Sequence, residues 1–306
     1  MPTSAVVICA HTDERRPQIV RAVDSVRAQS PAPDEVVLVI DYNDGLAAWA
    51  RAEFPDVVVV TNANHRGESG ARNAGVAAVG ADVVVFLDDD AAAHPGWLGH
   101  LLAHYDDPDV LGVGGAADPD WQDGRPTWLP REFDWVVGCT YRGLPEEPSS
   151  VRNLMGCNMS FRRSVIEQAG GFYEGLGRTG ANALGCSETE FCIRAQHLLG
   201  GSLVFEPKAR ISHQVPAGRT TWRYFAKRCR AEGRSKAHVA RRTTPSAALA
   251  SERAYVASVL TQGVIRRIGR LGRERGALPR IATIIAGATI TASSYAVAVS
   301  RGSRAT

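Results

Sequence analysis

Short apolar runs and amphipathic stretches alternate through the first ninety residues. AVVIC at 5–9, EVVLVI at 35–40, VVVV at 57–60 and VVVFL at 83–87 are continuous rather than alternating, the pattern of strands buried on both faces. Residues 15–29 repeat apolar side chains at helical spacing through Ile19, Val23 and Val26 and stop at Ser30-Pro31; residues 47–53 and 69–79 read as two further helices. Strands and helices joined by short connections predict an α/β fold with a doubly wound, mostly parallel sheet. Beyond Asp90 the period loosens. Trp121, Trp128, Trp135 and Tyr141 lie in a Pro/Gly-rich stretch ending near Ser150, which reads as irregular surface or substrate groove rather than core. A helix at 188–199, a short strand at 202–205 and helices at 221–240 and 252–269 complete the map. Segments 1–115, 116–215 and 216–306 are expected as two halves of one α/β domain and a helical tail.

Composition changes this picture mainly through charge. With 306 residues, 44% of them hydrophobic and 22% charged, the chain can bury one large core or two modest ones. Its six cysteines form no CxxC pair, which points to reduced thiols rather than a disulfide or zinc framework. No basic n-region opens the chain and the apolar run at 5–10 is short for a signal sequence, so a cytoplasmic location is expected. The net charge of +3 conceals a division: residues 1–207 carry 15 Lys/Arg against 29 Asp/Glu, and residues 208–306 carry 20 against 3. An acidic body disfavours nucleic acid as a partner. The basic tail runs into residues 281–300, which carry no charge, with Arg266, Arg267, Arg270, Arg273, Arg275 and Arg280 before them and Arg301 and Arg304 after. At about 1.5 Å per residue such a helix spans about 30 Å, enough for a bilayer core. Its Thr and Ser residues leave three readings open: a span, a helix lying on an anionic membrane surface, or a helix packed on the body.

The chemistry gathers at strand ends. VVVFL delivers Asp88, Asp89 and Asp90 to the carboxyl edge of the sheet, where open α/β sheets bind ligands. Alternation places Asp88 and Asp90 on one side and Asp89 on the other, a pair able to hold one hard divalent cation that would neutralise a diphosphate. Ala10, His11 and Thr12 close the first strand, and Asp41 with Asn43 closes the second, so both emerge at the same edge and can cradle a nucleotide. Gly67, Gly70, Arg72, Asn73 and Gly75 lie where a loop becomes a helix, with Arg72 as the candidate phosphate ligand and Gly75 as a helix-packing residue. Glu188 and Glu190 open a later helix and are candidates for a general base. Trp128, in the aromatic stretch, is a candidate for stacking on a carbohydrate or apolar-carrier acceptor.

In order, VVICAHTDERR, VLVIDYNDG, NANHRGESGARNAG, VVVFLDDDAAAHPGWL, GCNMSFRRSVIEQAGGF, SETEFCIRA and ARISHQV resemble the family-2 inverting glycosyltransferases of GT-A fold, over about residues 4–215. The resemblance implies a nucleotide-diphosphate-sugar donor, a hydroxyl acceptor, and Mg2+ or Mn2+ on Asp88 and Asp90. The donor base falls to Asp41, the nucleotide pocket to Arg72, an acceptor-side role to Asn158, and a metal or diphosphate contact to His213. It makes 1–115 the donor half and 116–215 the acceptor half, and puts the base at Glu188, with Ser187 where the family usually has a further acid. A cytosol-facing enzyme at the inner face of the membrane is the resulting expectation. Two rivals remain. A sugar nucleotidyltransferase would carry a Gly-rich loop after its first strand, where this chain has none, and a non-catalytic membrane-bound nucleotide-sugar sensor would bind donor without turning it over.

Overall fold

The computed structural model describes residues 1–179, 184–243, 252–269, 271 and 276–302. Arg270, Arg273, Arg275 and Arg304 lie outside the described residues. In chain order the elements are β1 (Ser4–Ala10), α1 (Arg16–Arg27), β2 (Glu35–Ile40), α2 (Asp44–Glu53), β3 (Val58–Thr61), α3 (Glu68–Ala77), β4 (Val83–Asp88), β5 (Ala91–Ala93), α4 (Trp97–Leu102), β6 (Val110–Trp121), β7 (Ser149–Val151), β8 (Asn158–Arg162), α5 (Arg163–Gln168), α6 (Ser187–Leu199), β9 (Ser202–Val215), α7 (Trp222–Arg242), α8 (Thr261–Ile268) and α9 (Ala277–Gly302). Among the described residues nine strands form one sheet in the order β3-β2-β1-β4-β8-β6-β9-β5, with β7 on β9. The strands β3, β2, β1 and β4 are parallel, whereas β8 runs antiparallel to β4 and to β6, and β9 antiparallel to β5 and β7. The expectation of a mostly parallel sheet therefore describes its first half; the whole is mixed.

Alternation along the central strands explains their continuous apolar runs. Val6 and Ile8 of β1 pack with Ile19, Val23 and Val26 of α1, while Ala5 and Val7 face the other way onto Ala71 and Ala74 of α3 and a cluster containing Phe161, Phe172 and Phe191. Both faces are covered, so neither residue set can be polar. Gly75 lets α3 close on the sheet, because a β-carbon there would run into Val7 and Val39. Strand β9 extends well past the expected 202–205. From Ala209 onward its buried positions, Ala209, Ile211, His213 and Val215, alternate with Arg210, Ser212 and Gln214, the period of a half-buried strand.

The chain divides into two compact units, interleaved in sequence: Met1–Asp118, Pro145–Asn182 and Ser187–His213 form the first, and Pro119–Leu144, Ala183–Cys186 and Gln214–Thr306 the second. Their bounds differ from the contiguous 1–115, 116–215 and 216–306 expected from the sequence. The aromatic stretch that read as surface or groove supplies much of the second unit's core instead. Leu129, Phe133 and Val136 pack with Phe225 and Cys229 of α7, Leu260, and Ile284 of α9. Trp128 meets Trp222 and Phe225 edge-on at 5.4 and 5.7 Å. Phe133 and Val136 lie on a short irregular helix at 131–137 and Trp128 and Leu129 just before it, so no strand or α-helix period announced them.

Helix α9 is long and apolar enough to cross a membrane by length and composition: within Ala277–Arg301 its most apolar stretch has a mean hydropathy of 1.5, and 17% of that stretch is buried. One side lies on α7, where Gly233 leaves room for the backbone at Thr291 and the Ser294 hydroxyl donates to the Arg230 carbonyl at 2.8 Å. Thr283 and Thr291 donate to carbonyls one turn back in their own helix, at 2.8 and 2.9 Å. Their hydroxyls are thus satisfied within α9, which lowers the cost of an apolar environment.

Candidate active site

Parallel pairing brings the ends of β1, β2, β3 and β4 to one edge: Cys9 lies beside Asp88 and Ala10 beside Ile40. The backbone N–H of Asp41 donates to the Ala10 carbonyl at 2.8 Å. Asn43 caps α2, accepting from the Leu46 N–H at 3.0 Å, and donates to the His11 carbonyl at 3.3 Å and to Asp13 at 2.8 Å. Its side-chain NH2 thereby pins the 11–13 loop, while its oxygen caps the helix. Thr12 caps the short turn at 13–15. Ala10 is buried and His11 exposed, so His11 is the member of that trio whose side chain projects to solvent. Partial desolvation and the nearby Arg15 cation hold the His11 imidazole below its usual pKa.

Asp41 is 8% exposed and organises the loop into α3. One carboxylate oxygen accepts from the Asn62 amide at 2.6 Å and the other from the Gly67 N–H at 3.0 Å. Each oxygen keeps a further lone pair, so Asp41 can still accept from a ligand. Asn62 escaped the sequence reading; only its place at the end of β3, opposite Asp41, marks it.

Asp88, Asp90 and His213 converge, each offering one ligand atom, all within 4.8 Å of one another. His213 is carried there by pairing of β9 with β5, opposite Ala91, and its Nε2 lies 3.2 Å from Asp90. Burial, and then the charge of Asp90, push the Asp88 carboxyl above its ordinary pKa, with Arg72 opposing. Two carboxylates that repel one another, with an imidazole nitrogen beside them, fit a divalent cation such as Mg2+ or, with the nitrogen donor, Mn2+. Asp89 faces elsewhere, as alternation requires, and meets Arg15 at 2.5 Å; Arg15 also reaches Asp90 at 3.3 Å. Burial raises the Asp89 carboxyl to about 7 despite that cation, and its second oxygen is buried without a hydrogen-bond partner. Arg15, another residue the sequence did not single out, thus orients the acidic turn from the loop after β1.

Residues 5–170 match the family model described as glycosyl transferase family 2. The chain belongs to that family. It is 36% identical over 236 residues to the glucosyl-dolichyl phosphate glucuronosyltransferase of Haloferax volcanii, covering 76% of this chain and 75% of that relative. A mannosyltransferase from Pyrobaculum calidifontis, solved with GDP-Man and Mn2+, shares the fold over 95% of this chain and 87% of its own, with a TM-score of 0.60 at 18% identity. The structure of GalNAc-T7 with UDP, GalNAc and Mn2+ aligns with 76% of this chain at a TM-score of 0.54 and 19% identity, and the chain spans 47% of it. This protein is a glycosyltransferase of family 2 with a GT-A-type fold.

In this family-2 enzyme several expected site residues are brought together and others are not. Arg72 is 3% exposed: it pairs with Glu68 at 2.6 Å, donates to the Gly156 carbonyl at 3.0 Å and to the Ser187 hydroxyl at 3.4 Å, and lies over the Phe172 ring. The expected phosphate ligand is therefore a buried brace between α3, the loop before β8 and the start of α6, acting on Asp88 and Glu188 through its charge. Asn158 is fully buried, accepting from the Trp97 indole at 2.8 Å and donating to the carbonyls of Ala116 and Ala209, each at 2.9 Å. With its amide so used it cannot present itself to an acceptor. Trp128 is half-buried and packs against the second unit's aromatic cluster.

The two glutamates of α6 separate clearly. Glu190 is 1% exposed and forms a two-point pair with Arg194, both contacts at 2.9 Å. Arg194 also donates to the carbonyls of Ala169 and Gly171, tying α6 to the end of α5. Glu188 is half-buried, accepts from the Thr189 hydroxyl at 3.2 Å, and lies within electrostatic reach of Arg72.

Proposed function

We propose that this glycosyltransferase moves one sugar, with inversion, from a nucleotide-diphosphate donor to a hydroxyl of a lipid-linked or membrane-proximal acceptor. The convergence of Asp88, Asp90 and His213 at the carboxyl edge of the parallel strands carries the reading. These three residues would hold Mg2+ or Mn2+, which when bound neutralises the donor diphosphate as the leaving group departs. Asp41 would accept from the donor base, with Asn62 and Gly67 fixing its orientation. Glu188 would take the proton of the acceptor hydroxyl as that oxygen attacks the sugar carbon from the face opposite the diphosphate. Arg15 keeps the acidic turn in register, and Arg72 offsets the charge of Asp88.

A lipid-linked acceptor is favoured by the relative named for glucosyl-dolichyl phosphate and by the apolar α9, of which 17% of the most apolar stretch is buried, with its basic surroundings. Family membership leaves the nucleotidyltransferase reading without support. The sensor reading is separated from catalysis by one assay. A panel of UDP-, GDP- and dTDP-sugars is tested with Mn2+ for thermal stabilisation and then for release of nucleoside diphosphate. One donor should do both, and chelation should abolish both. Stabilisation by a donor with no turnover on any lipid-linked or glycan acceptor would leave a binding protein.

A further inference from the structure

The second unit contains a cavity of about 240 Å3 whose wall includes six arginines: Arg125, Arg131, Arg142, Arg266, Arg267 and Arg280. Two carboxylates answer part of this charge. Asp134 pairs with Arg125 at 2.5 Å, and the fully buried Glu132 pairs with Arg267 at 2.9 Å, Arg266 at 3.2 Å and Arg142 at 3.9 Å. The surroundings stay basic nonetheless: burial and then the charge of Arg266 hold the Arg142 guanidinium below its ordinary pKa. Arg267 is 6% exposed, and its Nε is buried without a hydrogen-bond partner. Arg280 sits in the first turn of α9, which carries no acid, so its cation faces the positive end of the helix dipole. An unfilled donor, a helix N-terminus and crowded guanidinium groups are all relieved by one kind of ligand, a multi-oxygen anion, and the guanidinium fork matches phosphoryl oxygens in pairs.

The chain around this cavity is apolar as well as basic. Ile265 and Ile268 flank Arg266 and Arg267, and Leu278 lies two residues before Arg280; all three are exposed. A free inorganic anion has no use for such side chains, whereas a phosphoryl group carried on an acyl or prenyl chain does. We infer that the arginine cavity of the second unit is a docking site for the phosphoryl group of a membrane lipid, with Ile265, Ile268 and Leu278 entering the acyl region around it. The inference rests on the membrane-proximal reading above and adds to it a specific headgroup chemistry.

The test uses full-length protein and no sugar donor, so its failure leaves sugar transfer untouched. Sedimentation is measured with phosphatidylcholine vesicles doped with phosphatidic acid or, at matched surface charge, with oleate. Wild type should prefer the phosphatidic acid vesicles by at least tenfold. Replacing Arg131→Gln together with Arg280→Gln should remove that preference. Replacing the exposed α7 cations Arg223→Gln and Lys227→Gln should weaken both vesicle types alike and keep the ratio. Because Arg280 also donates to the Thr127 carbonyl, Arg131→Gln alone is the second variant, expected to lower the ratio with an unchanged melting temperature. A wild-type ratio near one, or a ratio that survives the Arg131 and Arg280 changes, overturns the proposal. Thermal stabilisation by inorganic phosphate without any vesicle preference overturns it too, since the cavity would then take the free ion.

Discussion

Glu188 and Glu190 stand two residues apart on α6, and replacing each by glutamine should separate catalysis from stability. Removing one partner of a buried ion pair costs about 3–5 kcal/mol, because the remaining charge is left uncompensated. In Glu190→Gln the stranded group is Arg194, which keeps its carbonyl partners at Ala169 and Gly171, so the lower end applies. For a unit of this size each kcal/mol corresponds to about 2–4 °C, which gives a fall of about 6–12 °C in melting temperature. Glu188 is half-buried and accepts from its neighbour Thr189 instead of holding a buried guanidinium in a two-point pair, so Glu188→Gln should leave the melting temperature within about 2 °C. It should instead lower kcat by about 10²–10⁴, the usual worth of a general base, with little change in donor KM. Calorimetric melts and steady-state release of nucleoside diphosphate read the two effects on the same preparations. A Glu190→Gln protein that melts normally but loses turnover, beside an active Glu188→Gln protein, would refute the assignment of roles along this helix.

Metal dependence gives a second expectation: Mn2+ at a hundred times its Kd should stabilise wild type by about 2.7 kcal/mol, and Asp90→Asn should lose both this gain and transfer. If calorimetry finds the stabilisation intact in that variant, the cation sits elsewhere. Asn158→Ala strands the Trp97 indole and two carbonyls in a dry core, so urea melts should show a loss of about 2–4 kcal/mol while donor and acceptor KM of the folded fraction stay unchanged. A raised acceptor KM would return Asn158 to the acceptor site. Burial alone would raise the Glu132 carboxyl, but hydrogen bonds from Arg267 and its charge more than offset this and hold its pKa below the ordinary 4.5. Its contribution is therefore complete above pH 4.5 and lost as pH falls toward the folded-state value; Glu132→Gln should flatten stability against pH there, and an unchanged acid slope would count against it.

The parallel half of the fold was legible because burial on both faces forces unbroken apolar strands, as in AVVIC, EVVLVI, VVVV and VVVFL. Strand β6 was not, because VLGVGGAAD reads as a loop. Its glycines answer a demand visible only in three dimensions: a β-carbon at Gly112 would strike Phe161, and one at Gly115 would strike the Ala209 carbonyl. Strand β9 did advertise itself through the alternation of Ala209, Ile211, His213 and Val215, but Pro207 interrupted the run and the strand was cut short. The acidic turn was readable from position alone, since carboxylates after a buried strand land at the ligand edge. Arg15 and Asn62 were not, because their meaning lies in what they face across the sheet edge, Asp89 and Asp41, some seventy-four and twenty-one residues away in sequence.

The serine at 187 illustrates how local sequence and charge balance combine. Its hydroxyl receives a long contact from Arg72, a cation that is 3% exposed and needs a carboxylate close by. Glu68 meets that need one helical turn away at 2.6 Å, and Asp88 and Glu188 add their fields. With three carboxylates already serving one buried guanidinium, a further acid at 187 would be surplus to its neutralisation. What the position must supply is a small buried group at the start of α6 that lets Arg72 approach. The guanidinium then bridges the α3 loop, the Gly156 carbonyl and α6, so the donor edge and the helix bearing Glu188 are held by a single side chain. That shared anchor is the physical reason a substitution at Arg72 should disturb both together.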